Sequence, residues 1–384
     1  MRHELLNVET GIHDTTSKLS GRNGAWSASM RRMTGGLSDG VDVVTLSNGR
    51  LSLEILPTRG MGIWRGIIDG VPVKWDSPVE RPVHPAFVDQ MRRGGIGWLD
   101  GFNELICRCG LGWHGVPGND VLRDADGNVV SEQFLPLHGR IANLAAHQVT
   151  VEEQGELVAV KGIVDEAGMF GGRLRLESTL STSIDSNRFE ITDVVQNLGS
   201  QTAEVEMLYH CNIGRPFLGE GSELHAASTE VAPRNDHAAE GINMWNLCEG
   251  PKSGFAEQVY FTKAAADASG WGMSVLSDAE SKQAVCVRFD TSTMPYFVLW
   301  KNTQAEADGY VAGLEPGSSF PNLRTVERRE GRVIRLASGQ SVTFRLNFEI
   351  ATNSRDVRSL LDEVTELQIA HPRVVHSSPK PQWV

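Results

Sequence analysis

SVTFRLNFEI, residues 341–350, alternates strictly: Val342, Phe344, Leu346, Phe348 and Ile350 fall on one side and polar side chains on the other. Successive side chains of an extended chain point to opposite faces. A period of two therefore marks a strand with one face on a core and one towards solvent. The pattern recurs upstream, with Leu51, Leu53 and Ile55 in LSLEIL and Leu174 and Leu176 in GRLRLESTLS. Between such runs stand Ser47-Asn48-Gly49, Asp69-Gly70, Asp126-Gly127-Asn128 and Ser338-Gly339, whose Asn and Gly tolerate the positive φ of tight turns. The 40 glycines suit many short connections, and together these features indicate a large antiparallel sheet system.

Helical spacing is rare. Val357, Leu360, Leu361, Val364 and Leu367 share one face of a helix expected over Ser354 to Gln368, with Asn353 or Ser354 as its cap. A second, short helix is expected over Pro85 to Arg93. The first 40 residues are polar and glycine-rich and read as an extended arm. Residues 41–384 contain no repeat or low-complexity linker and read as one domain. The tail from His371 holds three prolines and two serines and is expected to wrap the surface or fray.

Composition excludes several classes of function. The net charge of -12 and the lack of a basic block argue against nucleic acid or an anionic membrane as partner. Cys107, Cys109, Cys211, Cys248 and Cys286 are odd in number and irregular in spacing, which suits reduced, buried thiols rather than a disulfide framework. The N-terminus lacks an apolar leader and no run of 18 apolar residues occurs, so a cytoplasmic location is expected. G-x-S-x-G, P-loop, H-E-x-x-H, catalytic-cysteine and G-x-G-x-x-G signatures are missing, which disfavours a nicotinamide or ATP enzyme.

Two histidines differ from the rest. His138 precedes Gly139 in FLPLHGRIANL, and His210 ends an apolar strand-like run in EVEMLYHCNIGRPFL. Glu315 closes an apolar stretch in GYVAGLEPGSSFPN, just before Pro316 and Gly317, where a strand end would rim a cleft. Spacing alone does not separate a catalytic role for these residues from a structural one.

LHGR (137–140), LYHCNIGRPFL (208–218) after the turn VVQNLGS (194–200), and GYVAGLEPGSSFPN (309–322) followed by GRVIRLASGQSVTFRLNF occur in that order. In motif and order the chain resembles the aldose 1-epimerases (galactose mutarotases). LPTRGMGIW (56–64) and GFNELICRCGLGWHG (101–115) are most similar to a divergent bacterial branch of that superfamily. The resemblance spans roughly residues 40 to 350.

It implies an all-β fold, a large twisted antiparallel β-sandwich with few short helices, and one open cleft. It implies that Glu315 is the general base taking the anomeric hydroxyl proton, that His210 is the general acid serving the ring oxygen, and that His138 binds the sugar. Histidine exchanges protons near neutral pH, and a carboxylate serves as base when its surroundings raise its pKa. No cofactor is needed. Arg108 stands loosely where the family places a sugar-binding arginine. Arg59, Lys301 and Asn302 offer further donors, Trp300 a stacking surface, and Trp113 and Trp245 alternatives to it. Where the family has an aspartate, Glu257 or Gln258 stands in.

Other readings remain open: a lyase or isomerase acting beside a carbonyl, a Zn²⁺ or Mn²⁺ site built from the same His and Glu side chains, and a non-catalytic sugar-binding protein. The expected partner is a small sugar, with edge strands allowing a homodimer.

Overall fold

Strand Ser341–Ala351 lies inside a ten-stranded sheet, between Arg188–Asn197 and Ala284–Asp290. Phe344, Leu346, Phe348 and Ile350 are buried on its inner face. The computed structural model describes residues 1–384 except Ala125 and Phe170. Arg173–Ser183 is also a strand of this sheet, while Leu51–Leu56 belongs to a second, thirteen-stranded sheet.

The sheets lie face to face. Tyr209, Leu299 and Leu314 of the larger sheet join Leu176, Ile191 and Phe344 of the smaller in one apolar cluster. This is the all-β sandwich expected from the alternating pattern.

The helix on the back of the ten-stranded sheet runs Ser354–Ala370, capped by Asn353, whose side chain accepts from the backbone N–H of Arg355 and Asp356. Val357, Leu360 and Val364 are its buried face, as their spacing predicts. The single helix expected over Pro85 to Arg93 is instead a 3₁₀ turn at Pro85–Phe87 and a helical turn at Arg92–Gly95. Val88 between them is extended, and Arg93 takes a positive φ of 54°.

Both chain ends are woven into the sheets. Arg2–Asn7 pairs with Gln148–Gln154 in the smaller sheet, and Ser27–Arg32 pairs with Asp42–Ser47 in the larger. In the tail, Val374–Val375 runs parallel to Ser228–Pro233, and the Trp383 ring lies 4.9 Å from that of Phe320. The five cysteines are buried and free of disulfides. No helix among the described residues is long and apolar enough to cross a membrane.

A fully buried ion pair crosses between the sheets. Arg108, on Ile106–Cys109 of the larger sheet, meets Asp193, on Arg188–Asn197 of the smaller, with Nη2 to Oδ1 at 3.1 Å. The Tyr209 hydroxyl donates to the same carboxylate at 2.7 Å. The guanidinium also donates to Met61 O at 2.6 Å and to Ser178 Oγ at 2.8 Å. Removing one partner leaves the other charge buried without compensation, at a cost of about 3–5 kcal/mol. Asp193→Ala is therefore expected to lower unfolding stability by about that amount in urea titration. Pairing it with Arg108→Met should recover much of the loss, and a single-variant loss below about 1 kcal/mol would deny the pair its structural role.

Candidate functional site

His210 and Glu315 lie on neighbouring strands, Leu208–Ile213 and Val311–Gly317. The register pairs Leu208 with Gly317 and Cys211 with Leu314, which sets His210 opposite Glu315. On the next strand Trp300 pairs with Gly313, so Trp300, Glu315 and His210 all project from the outer face of the larger sheet.

His138 reaches the same place from a loop. It has a φ of 58°, its N–H donates to Gly115 O at 3.0 Å, and its carbonyl accepts from Gly110 N–H at 3.2 Å. Gly139 follows with a φ of 74°, and a Cβ there would lie 2.2 Å from both Gly110 O and Trp113 O. Only glycine permits that approach. The His138 and His210 rings are 5.7 Å apart, and Trp98 stands 4.7 Å from His138.

These groups line a cavity of about 260 Å³. Trp98, Phe102, Val259 and Trp300 supply apolar walls, and His138, His210, Glu315, Arg234 and Glu257 the polar groups. Aromatic walls with a few convergent polar groups are the usual make-up of a small-molecule site.

The protonation states follow from the contacts. Asn212 donates from its amide to Glu104 O at 2.9 Å, which turns its Oδ1 towards His210 Nδ1 at 2.7 Å. An Nδ1–H donating to that oxygen, as the network requires, leaves the Nε2 lone pair facing Glu315. Nε2 and Glu315 Oε1 are 3.1 Å apart, yet they are misaligned for a hydrogen bond and that oxygen has no other partner.

Burial pushes the Glu315 carboxyl well above the usual carboxylate range; Glu257 adds to the effect and Arg234 opposes it. Burial lowers His210 to about 4, with the Asn212 hydrogen bond working the other way. His138 is driven well below its ordinary value, first by burial and then by the neighbouring His210, His114 and Arg234. Burial thus disfavours the charged form of both the Glu315 carboxyl and the His210 imidazole. The Glu315 carboxyl folds back over Gly313, where a Cβ would sit 2.4 Å from Oε1.

Other residues singled out from the sequence lie elsewhere. Arg108 faces inward to Asp193, as described above, rather than towards the cavity. Arg59 is buried against Glu104 at 2.6 Å. Lys301, next to Trp300 and so on the opposite face, reaches Glu249 at 3.2 Å. Asn302 donates to Gly309 O at 3.2 Å, and Gln258 accepts from the Tyr260 hydroxyl at 3.0 Å. Trp113 donates to Pro136 O, and Trp245 packs on Tyr260. Glu257, the other candidate beside Gln258, does line the cavity and accepts from Trp300 Nε1 at 2.6 Å.

Sequence reading missed Arg234, Trp98 and Phe102. Arg234 follows strand Ser228–Pro233 directly and precedes the helix cap Asn235, a strand-end position like that of Glu315. Beneath the His138 loop, Ser319 Oγ bridges Glu206 Oε1 at 2.7 Å and His114 Nε2 at 2.9 Å. Burial raises Glu206 to about 8 and lowers His114 to about 3. Among the described residues, no group of three or more His, Cys, Asp or Glu side chains is placed to hold a metal ion.

A structure named as a "putative aldose 1-epimerase" from Klebsiella pneumoniae matches with a TM-score of 0.91 and 30% identity, covering 99% of this chain and 98% of that one. A galactose mutarotase-like protein from Clostridium acetobutylicum matches at a TM-score of 0.58 and 14% identity, over 84% of this chain and 98% of that one. A galactose 1-epimerase from Lactobacillus acidophilus matches at 0.55 and 10% identity, over 85% and 99%. The last two share the fold. No curated protein sequence matches the chain. Residues 38–350 match the family model described as "Domain of unknown function (DUF4432)". The chain belongs to that family, a branch of the galactose mutarotase-like superfamily.

Proposed function

We propose that this protein is a sugar isomerase of the aldose 1-epimerase type, interconverting the anomers of a monosaccharide. The observation that carries this reading is the His210–Glu315 pair, 3.1 Å apart on the floor of an aromatic-walled cavity of about 260 Å³. That volume lies below the usual range for drug-sized ligands and suits a single small ring.

Opening a cyclic hemiacetal takes a proton from O1 and gives one to the ring oxygen, so an acid and a base must flank the ring. In the neutral form of the pair, which burial favours, Nε2 of His210 is the free base and the Glu315 carboxyl is the acid. Glu315 gives its proton to the ring oxygen while Nε2 accepts the proton of O1. The open-chain aldehyde turns about its C1–C2 bond, and the pair, now carboxylate and imidazolium, returns the protons on closure. The family resemblance implies the opposite starting roles, with Glu315 as base and His210 as acid. One proton passed across the gap interconverts the two forms, and burial favours the neutral one. His138, whose buried Nδ1 has no partner, offers a hydrogen bond to a sugar oxygen. Trp300, Trp98 and Phe102 offer flat surfaces to the C–H faces of the ring. The same pair also suits proton abstraction beside a carbonyl, which would show as solvent deuterium entering a C–H bond.

Glu315→Gln is expected to slow anomer exchange, followed by polarimetry or proton NMR of fresh α-anomers, by about 10² to 10⁴ with melting unchanged. Undiminished exchange in a folded variant would take Glu315 out of the mechanism.

Gly313→Ala should fold, because the clashing atom is the end of a flexible side chain. The displaced carboxyl is expected to lower kcat by about 10². An unchanged kcat would mean that its position over Gly313 is unimportant.

His210 adds an acid-side signature. Its folded pKa of about 4 lies below the unfolded value near 6.5, so the unfolded chain binds the extra proton between them. The stability contribution of its burial is full above about pH 6.5 and falls by about 3 kcal/mol as pH drops to about 4. Turnover is lost over the lower part of that range as Nε2 becomes protonated. Urea midpoints from pH 7 to 4 should show a shallower slope in His210→Gln, and equal slopes would contradict the assignment.

A further inference from the structure

Arg234 is the one cationic side chain on the cavity wall among the described residues. Its backbone is pinned by an N–H to Val259 O hydrogen bond at 3.0 Å. Its guanidinium makes no hydrogen bond with the described residues: the nearest carboxylate oxygen, on Glu257, is 3.9 Å from Nη1, too far for one. The other Glu257 oxygen is engaged by Trp300 Nε1 at 2.6 Å, which holds that carboxylate against the indole. Glu257 is also 53% exposed, so water screens its charge. The N–H donors of Arg234 therefore make no hydrogen bond to a side chain of the cavity, whose other polar groups are His138, His210, Glu315 and the Trp300-bound Glu257.

Its placement limits what it can grip. Across the sheet, Ser228–Pro233 lies three strands from Val311–Gly317, with Gln258–Ala264 and Tyr296–Asn302 between. At about 4.8 Å per strand the Arg234 and Glu315 backbones are about 14 Å apart. A group held by Arg234 is thus a substituent of the sugar skeleton and not the anomeric oxygen at His210 and Glu315. The charge still reaches the reacting groups, for Arg234 opposes the upward shift of Glu315 and adds to the downward shift of His138.

A planar guanidinium matches a carboxylate through two parallel N–H···O bonds. A phosphate dianion would call for more than one cation, and the remaining arginines expected at the site, Arg59 and Arg108, are spent in buried ion pairs. The geometry points to a monosaccharide bearing a carboxylate, a sugar acid such as a uronate, gripped by Arg234 while its anomeric centre meets His210 and Glu315. This rests on the epimerase reading and adds the substrate class.

The test uses the full chain with D-glucuronate, D-galacturonate, their parent hexoses and glucose 6-phosphate. Anomer exchange is read by magnetisation-transfer NMR and binding by saturation-transfer difference NMR. At least one uronate is expected to exceed its parent hexose tenfold or more in kcat/KM. Arg234→Gln should collapse that ratio, mainly through KM, and Arg234→Lys should restore part of it. Equal or better turnover of the hexoses, preference for the phosphate, or an equal loss on hexose and uronate in Arg234→Gln would overturn the inference. Uronate binding that depends on Arg234 without anomer exchange would uphold the substrate class while defeating the epimerase reading. Neither binding nor exchange of either uronate would defeat the inference itself.

Discussion

The Arg108–Asp193 ion pair, buried between the sheets, anchors the strand that the site leans on. Arg108 and Tyr209 are ladder partners, and both turn inward to the same carboxylate. Because an extended chain alternates faces, their neighbours Cys107 and His210 must turn outward. Fixing Arg108 inward therefore fixes His210 on the outer face, opposite Glu315. A one-residue slip would send His210 into the core and Tyr209 into the cavity, and it would also strand a buried charge. The cost of that charge defends the register on which the site depends.

Exclusion of water governs the outer face as well, with a different result. Asp193 is paired and hydrogen-bonded three ways, which suits a charged carboxylate. Glu315 is equally buried but faces a neutral imidazole at a poor angle, and the charged form is disfavoured. Two buried carboxyl groups, one on each side of the larger sheet, thus have opposite surroundings, one met by a cation and the other by an imidazole. Gly313 completes the arrangement by leaving room for the carboxyl to lie back along its own strand.

Much of the fold was legible because alternation is a local property. SVTFRLNFEI, LSLEIL and the run around Leu174 form strands over nearly the residues where the pattern holds, and Asn353 caps the helix its position suggested. The gathering of His138, His210 and Glu315 was legible only through family resemblance, since their sequence separation carries no distance. Arg108, Lys301 and Gln258 have the right chemistry for a sugar, and their orientation is set by the register. That register is known only once strand partners are known: Trp300 faces the cavity and Lys301 cannot. Composition left the tail open between wrapping the surface and fraying, and it wraps: Trp383 seats on Phe320 and its carbonyl accepts from Asn322 at 2.8 Å.

The site divides into a floor and a rim with different origins. His210 and Glu315, the proposed proton-transfer pair, stand on paired central strands, where a shift in one drags the other, and this suits proton transfers that tolerate little misplacement. Arg234 lies just past a strand end, Glu257 just before one, and Trp98 and Phe102 in the loop ahead of Ile106–Cys109. Positions outside the ladder change without disturbing strand pairing. Such a division would let a scaffold keep one floor while its rim changes. On the proposed reading, the rim of this chain, with the Arg234 guanidinium beside a carboxylate already held by Trp300, is where its choice of substrate would be set.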